Sequence, residues 1–192
     1  MRLFVALEIP EAVRDNLAAI RKNFVAIDSQ IRWIPPQNLH VTLKFIGGVP
    51  TEKLPTIIEA LRRVRMEESV KLNFSGMGGS AAGVYWVAIE SCPGLEKLAA
   101  DIDRCLQPLG IAGENRAFHP HVTMARFKDR KMLKKIDELV HKDTTHGSGR
   151  MKCDFGSMSA SEFHLIESTT LLAGPIYSKV QSFPFAAAAP GN

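Results

Sequence analysis

Apolar residues recur along this chain in two rhythms, every second residue in some stretches and every third or fourth in others. Residues 2–9, rich in Leu, Phe, Val and Ile, predict a strand. After Pro10, which suits a first helical turn, Val13, Leu17, Ile20 and Phe24 fall at helical spacing. The two prolines of Arg32-Trp33-Ile34-Pro35-Pro36 predict an extended connector. Two-residue alternation runs from Leu39 to Ile46 and closes at Gly47-Gly48. Thr51 then fits the N-cap of a second helix that turns Leu54, Ile57, Ile58 and Leu61 inward. Strands are predicted over 70–76 and 84–90, around a turn at 76–83 rich in Gly, Ser and Ala.

The second half follows a similar order. Leu95, Leu98, Ile102 and Leu106 predict a helix over 93–106, ended by Pro108 and Gly110. A polar loop leads through Phe118-His119-Pro120 into a strand from His121 to Phe127. Met132, Leu133, Ile136, Leu139 and Val140 outline another amphipathic helix, which gives way to the polar stretch 142–149. Strands are expected near 151–156, 160–167 and 176–182. Each half therefore carries a helix, a strand that begins at a histidine, a second helix and further strands. An internal duplication folded into two lobes accounts for that order. Short strands joined by turns favour an antiparallel α+β arrangement over parallel crossovers. The expected organisation is one bilobal unit over residues 1–185, with 186–192 as a frayed tail that has nothing to pack against.

The histidines that open the two strands share one pattern: His40-Val41-Thr42-Leu43 and His121-Val122-Thr123-Met124. Side chains at i and i+2 of a strand point to the same face, so His40 shares a face with Thr42 and His121 with Thr123. Two imidazoles with ordinary pKa near ~6.5 can divide proton acceptance and donation between them at neutral pH. Two hydroxyls can hold non-bridging phosphate oxygens between them, so this chemistry needs no metal. Strict alternation puts Arg126 with Val122 and Met124, away from the histidines, unless the strand ends or bulges first. The same parity puts Lys44 on the His40 face, as a contact to an anionic ligand or a solvated strand-end charge.

Other candidates are weaker. His119 and His121 have a spacing that suits metal on a strand, yet no nearby acid or thiol completes a set. His141, His146 and His164 stand singly and read as exposed or packed. Trp33, Phe118 and Tyr177 could stack on a base but equally suit packing. The glycine-rich stretch 76–79 lacks the setting and the Lys-Ser/Thr of a phosphate loop.

Bulk properties add little to this. The formal net charge of +4 favours anionic partners only weakly, and 45% hydrophobic residues are ordinary for a globular chain. The three cysteines, Cys92, Cys105 and Cys153, argue against a disulfide framework and suit a reducing cytoplasm. The first residues alternate and soon meet Glu8 and Pro10, which suits neither a signal peptide nor a membrane span. A cytoplasmic monomer with no cofactor and no obligatory protein partner is expected.

With its flanks, the doubled motif resembles the two-histidine (2H) phosphoesterase superfamily, and within it the RNA 2′,3′-cyclic phosphodiesterases once called 2′-5′ RNA ligases. The stretches that carry the resemblance are residues 1–7, 33–45, 118–126, 162–168 and 174–177. The resemblance implies a bilobal, pseudo-twofold α+β fold, with two mostly antiparallel sheets, helices packed outside and a central cleft. It implies a metal-independent reaction that opens an RNA terminal 2′,3′-cyclic phosphate to a 2′-phosphate, with a weak reverse ligation. His40 and His121 are then the acid–base pair, Thr42 and Thr123 bind phosphate, and Arg126 contacts phosphate or ribose oxygens. His40 is assigned as the acid and His121 as the base, although the near-symmetry of the motifs leaves the reverse open. The rival readings are a phosphodiesterase of small cyclic nucleotides or other cyclic phosphate esters, and an RNA-binding protein without turnover.

Overall fold

The computed structural model describes residues 1–80, 82–90, 92–129, 131–142, 154–172 and 174–185. The 142–149 stretch beyond Lys142, His146, Cys153 and the 186–192 tail lie outside them. The elements are β1 (Arg2–Glu8), α1 (Glu11–Ala19), β2 (Arg32–Trp33), β3 (His40–Gly48), α2 (Leu54–Leu61), β4 (Val70–Ser80), β5 (Val84–Ile89), α3 (Pro93–Leu106), β6 (His121–Arg126), α4 (Lys131–Lys142), β7 (Asp154–Ala160), β8 (Glu162–Leu171) and β9 (Gly174–Pro184).

Every pairing among these strands is antiparallel. The strand order is β7-β4-β5-β6-β3-β1-β8-β9, with the short β2 paired to β6. The two sheets that the resemblance implies are joined into one nine-stranded sheet, as the halves β3-β1-β8-β9 and β6-β5-β4-β7, which meet where the two histidine strands run side by side. Counted outward from the central pair, β3 corresponds to β6, β1 to β5, β8 to β4 and β9 to β7. The helices cross between them: α1 packs against β7, and α3 against β3.

The periodic residues form the core. Val13 and Leu17 of α1, Ile57 and Leu61 of α2, and Leu95, Leu98, Ile102 and Leu106 of α3 are all buried. Under them lie alternate strand residues, among them Leu3, Val5, Leu7, Val41, Leu72, Val87 and Val122. The predicted elements differ from the structure mainly at their ends. The helix after Pro10 continues to Gln30 only as 3-10 turns, broken at Phe24 with φ −115° and ψ 19°. Thr51 is not a side-chain cap; it opens a 3-10 turn that runs into α2. Strand β4 extends through the glycine-rich stretch to Ser80, because that stretch pairs with β5. The strand expected at 151–156 is β7 at Asp154–Ala160.

One departure has chemical consequences. In β3 the partners of Val5 and Ala6 are Lys44 and Thr42, so Leu43 is an extra residue opposite β1. In β6 the partners of Tyr85 and Trp86 are Ala125 and Thr123, so Met124 is the matching extra residue opposite β5. Each motif is therefore followed by a bulge, which reverses the facing of the side chains after it, in β3 as far as a second extra residue at Ile46. Burial records it: the patterns over residues 40–45 and 121–126 are identical, with two consecutive buried residues after the threonine.

The bulge overturns the parity expectation for Lys44. Its side chain turns into the core, where Nζ lies 2.6 Å from Asp103 and donates to the Ala112 carbonyl at 2.6 Å. Burial pushes Asp103 up, but hydrogen bonds from Lys44, Gln107 and the Glu114 N–H outweigh it and hold its carboxyl below the usual range. Removing one partner of a buried pair strands the other charge. Lys44→Ala is expected to cost about 3 kcal/mol in urea unfolding. A loss below about 1 kcal/mol would mean that this lysine is a solvated charge.

Candidate active site

Both histidines are held by the same local device. His40 Nδ1 lies 2.7 Å from the carbonyl of Asn38, and His121 Nδ1 lies 2.7 Å from the carbonyl of His119. A carbonyl oxygen can only accept, so each neutral ring carries its proton on Nδ1 and leaves the Nε2 lone pair free. The 3-10 turn Pro36–Asn38 presents the first carbonyl. It is anchored to β9 by the Asn38 amide, which donates to Pro175 O at 3.1 Å.

A single register pair brings the two rings together. Val41 lies opposite Val122, both fully buried, with β3 and β6 antiparallel. Continued by one residue each way, that register sets His40 across from Thr123 and Thr42 across from His121. Directly opposed side chains share a face, with Cβ atoms about 4.5–5.5 Å apart, and diagonal pairs lie about 7–8 Å apart. The imidazoles are thus diagonal neighbours and the hydroxyls occupy the other diagonal. All four side chains are partly exposed, so solvent and a dissolved anion can reach them.

Arg126 joins this face. The bulge at Met124 turns its exposed side chain to the side of His121 and Thr123, opposite Val84. The sequence pattern could not reveal that, because one inserted residue reverses a parity argument. For the same reason it missed Phe45, which the Leu43 bulge brings onto the His40 face. The flanking strands complete the floor: Glu8 and Ala6 lie opposite His40 and Thr42, while Ala88 and Trp86 lie opposite His121 and Thr123.

The two ends differ in polarity. The His40 ring lies against Phe4 (centroids 4.9 Å apart) and Tyr177 (5.3 Å, edge-on). Burial there pushes the His40 pKa down; the neighbouring His121 adds to this, while the Asn38 carbonyl opposes it. His121 lies 5.8 Å from the Trp86 ring and opens onto a cavity of about 720 Å³ lined also by Phe118 and His119. The Trp86 indole rests on Gly78, where a Cβ would come within 2.9 Å of it.

Behind His40, Lys179 donates to Glu8 at 2.9 Å, and the buried His164 pairs its Nδ1 with Ser182 Oγ at 3.0 Å. Burial pushes Glu8 up, yet the Lys179 hydrogen bond and nearby positive charge outweigh it and leave its carboxyl below the ordinary range. His164 is a packed histidine, Tyr177 packs on Phe4 and His40, and Trp33 packs on Phe24. The side chain of His141 lies outside the described ones. Among the described residues no group of three or more His, Cys, Asp or Glu could hold a metal ion.

A family model described as LigT like Phosphoesterase matches residues 7–83. A protein of Archaeoglobus fulgidus named RNA 2′,3′-cyclic phosphodiesterase is 30% identical over 187 residues, which cover 95% of this chain and 99% of that protein. The chain belongs to the LigT-like phosphoesterase family. Its fold is also that of solved relatives. A crystal structure from Thermus thermophilus is 25% identical, with TM-score 0.78 over 98% of this chain and all of that one. A structure of E. coli LigT complexed with 3′-AMP is 24% identical, with TM-score 0.77 over 96% of this chain and 97% of that one. As a LigT-like phosphoesterase of the 2H superfamily, the chain catalyses hydrolysis of a cyclic phosphate ester.

Loss of either imidazole should remove one proton transfer and little stability, since both rings are partly exposed. His40→Ala and His121→Ala should each reduce turnover of a cyclic phosphodiester by about 10²–10⁴-fold, with urea midpoints close to the parent. Unchanged rates in either variant would remove that histidine from the chemistry.

Proposed function

We propose that this protein opens the 2′,3′-cyclic phosphate at an RNA end to a 2′-phosphate, using two imidazoles and no metal. The observation that carries this reading is the pair of Nδ1-tethered rings that present free Nε2 atoms to one face across the Val41–Val122 pair. The relatives' name supplies the substrate class.

In the proposed reaction, His121 Nε2 takes a proton from water as the water oxygen bonds to phosphorus. The P–O3′ bond breaks on the opposite side, and the departing O3′ takes a proton from His40 Nε2. The P–O2′ bond stays intact, so the product is a 2′-phosphate. Thr42 and Thr123 hydroxyls donate to the non-bridging oxygens, and the Arg126 guanidinium balances charge that develops on them.

The division of labour follows from the two environments. The base needs access to water, and His121 faces the open cavity. The acid serves an oxygen that leaves as an alkoxide, and the aromatic surroundings of His40 keep water from competing for that proton. Burial pushes the His40 pKa down, so its imidazolium gives up a proton more readily than an ordinary one. The negative charge of the bound phosphodiester offsets this desolvation and favours the imidazolium when substrate arrives.

The wider reading is a bilobal unit over residues 1–185 that works as a cytoplasmic monomer. Free thiols at Cys92 and Cys105 suit a reducing compartment, and among the described residues no helix is long and apolar enough to cross a membrane. Incubated with a 2′,3′-cyclic phosphate oligonucleotide in excess EDTA, the protein should yield a 2′-phosphate end. Loss of activity on chelation would end the metal-free mechanism, and a 3′-phosphate product would reverse the leaving group. Binding without turnover would point to an RNA-binding protein.

A further inference from the structure

Strand β2 adds a third row to the reacting face. Along β6, His121, Thr123 and Arg126 follow one another on that face. Across from the first two stand Thr42 and His40, by the register of the Val41–Val122 pair. Across from Arg126 stands Arg32. Directly opposed residues share a face, and the neighbouring pair agrees. Trp33 packs on the buried Phe24, on the core side, opposite the buried Ala125. Arg32 therefore turns outward with Arg126, and both are exposed.

Like charges directly opposite each other on a sheet repel and cost stability. Among the described residues neither guanidinium has a hydrogen-bond or ion-pair partner to relieve this. Asp28, the acid nearest to Arg32 in the sequence, is held by Arg21 at 2.6 Å. Two opposed guanidiniums without a counter-charge suit an anion that bridges them, and their planar forks match phosphate oxygens. Arg126 serves the reacting phosphate in the reaction above, and Arg32 has no part in it. We propose that Arg32, beside Arg126, binds the phosphate on the 5′ side of the terminal ribose, so that the site prefers a 5′-phosphorylated nucleotide to a nucleoside cyclic phosphate.

Stereochemistry puts a phosphate there. The inference rests on the function proposed above, in which water enters beside His121 and O3′ leaves toward His40. O2′ and O3′ belong to one ribose, so in-line displacement puts that ribose on the leaving-group side of phosphorus. Arg126 has Val84 of β5 along one edge of β6 and Arg32 along the other, so β2 lies on the β3 side. The diagonal from His121 to His40 therefore leads on toward Arg32. The step from Thr123 to Arg126 is about 7–10 Å along the strand. One ribose with its 5′ methylene, met by the reach of an arginine side chain, covers that distance.

The test compares adenosine 2′,3′-cyclic phosphate with its 5′-phosphorylated form. The parent should have the lower KM for the 5′-phosphorylated substrate. Arg32→Gln should raise that KM by about 5- to 50-fold, the range of a charge-assisted contact, with kcat nearly unchanged. It should leave KM for the unphosphorylated substrate close to the parent value. Its urea midpoint should equal or exceed the parent's, because the substitution removes a repulsion. Arg104→Gln, on α3, removes the same charge elsewhere and should keep the parent's preference. Equal losses on both substrates would overturn the proposal. So would a parent with no preference for the 5′-phosphate, or the same loss of preference in Arg104→Gln. If the parent protein turns over neither substrate, the proposed function fails, and the arginine pair is judged from binding alone. Calorimetry should then show Arg32→Gln weakening adenosine 2′,5′-bisphosphate but not adenosine 2′-phosphate, and equal weakening of both would reject the 5′-phosphate site.

Discussion

The site depends on the pairing of β3 with β6 at Val41 and Val122. Those two side chains are buried and carry no chemistry, yet their register decides which residues of the two motifs become neighbours. A slip by one residue would turn the histidine and threonine of one strand into the core and its valine outward. The same pair joins the halves β3-β1-β8-β9 and β6-β5-β4-β7. The face that carries both motifs and the centre of the fold thus share one register pair, and α3 packs against the β3 side of it.

Tethering each Nδ1 to a carbonyl two residues upstream gives the two imidazoles a common chemical state, and their surroundings then separate them. His40 is enclosed by Phe4 and Tyr177, while His121 opens beside Trp86. Glu8 is part of the same asymmetry: it stands opposite His40 where Ala88 stands opposite His121. It is engaged by Lys179, which donates to its carboxylate at 2.9 Å.

Much of this was legible in the sequence because it rests on period and repetition. The helical spacing of Leu95, Leu98, Ile102 and Leu106 gives α3 its observed limits, and the repeated His-x-Thr marks the two central strands. What could not be read depends on a residue inserted into a ladder. Leu43 and Met124 look like ordinary alternating apolar residues, and only their neighbours across the sheet show that each has no partner of its own. That single local fact moves Lys44 from the reacting face to an ion pair with Asp103, and brings Arg126 and Phe45 the other way. The limits of β4 were missed for a related reason, since Gly78 and Gly79 have weak strand preference but pair with Trp86 and Tyr85.

The central claim is that one register pair presents two free Nε2 atoms to a single anion. It is tested most directly by following the imidazole nitrogens of 15N-labelled protein by NMR while inorganic phosphate is added. Both rings should carry a protonated Nδ1 before phosphate is added. Both Nε2 resonances should then move with one common midpoint, and His40→Ala should weaken the phosphate response of His121. A proton on Nε2 in the neutral rings, or two unrelated midpoints, would contradict the account.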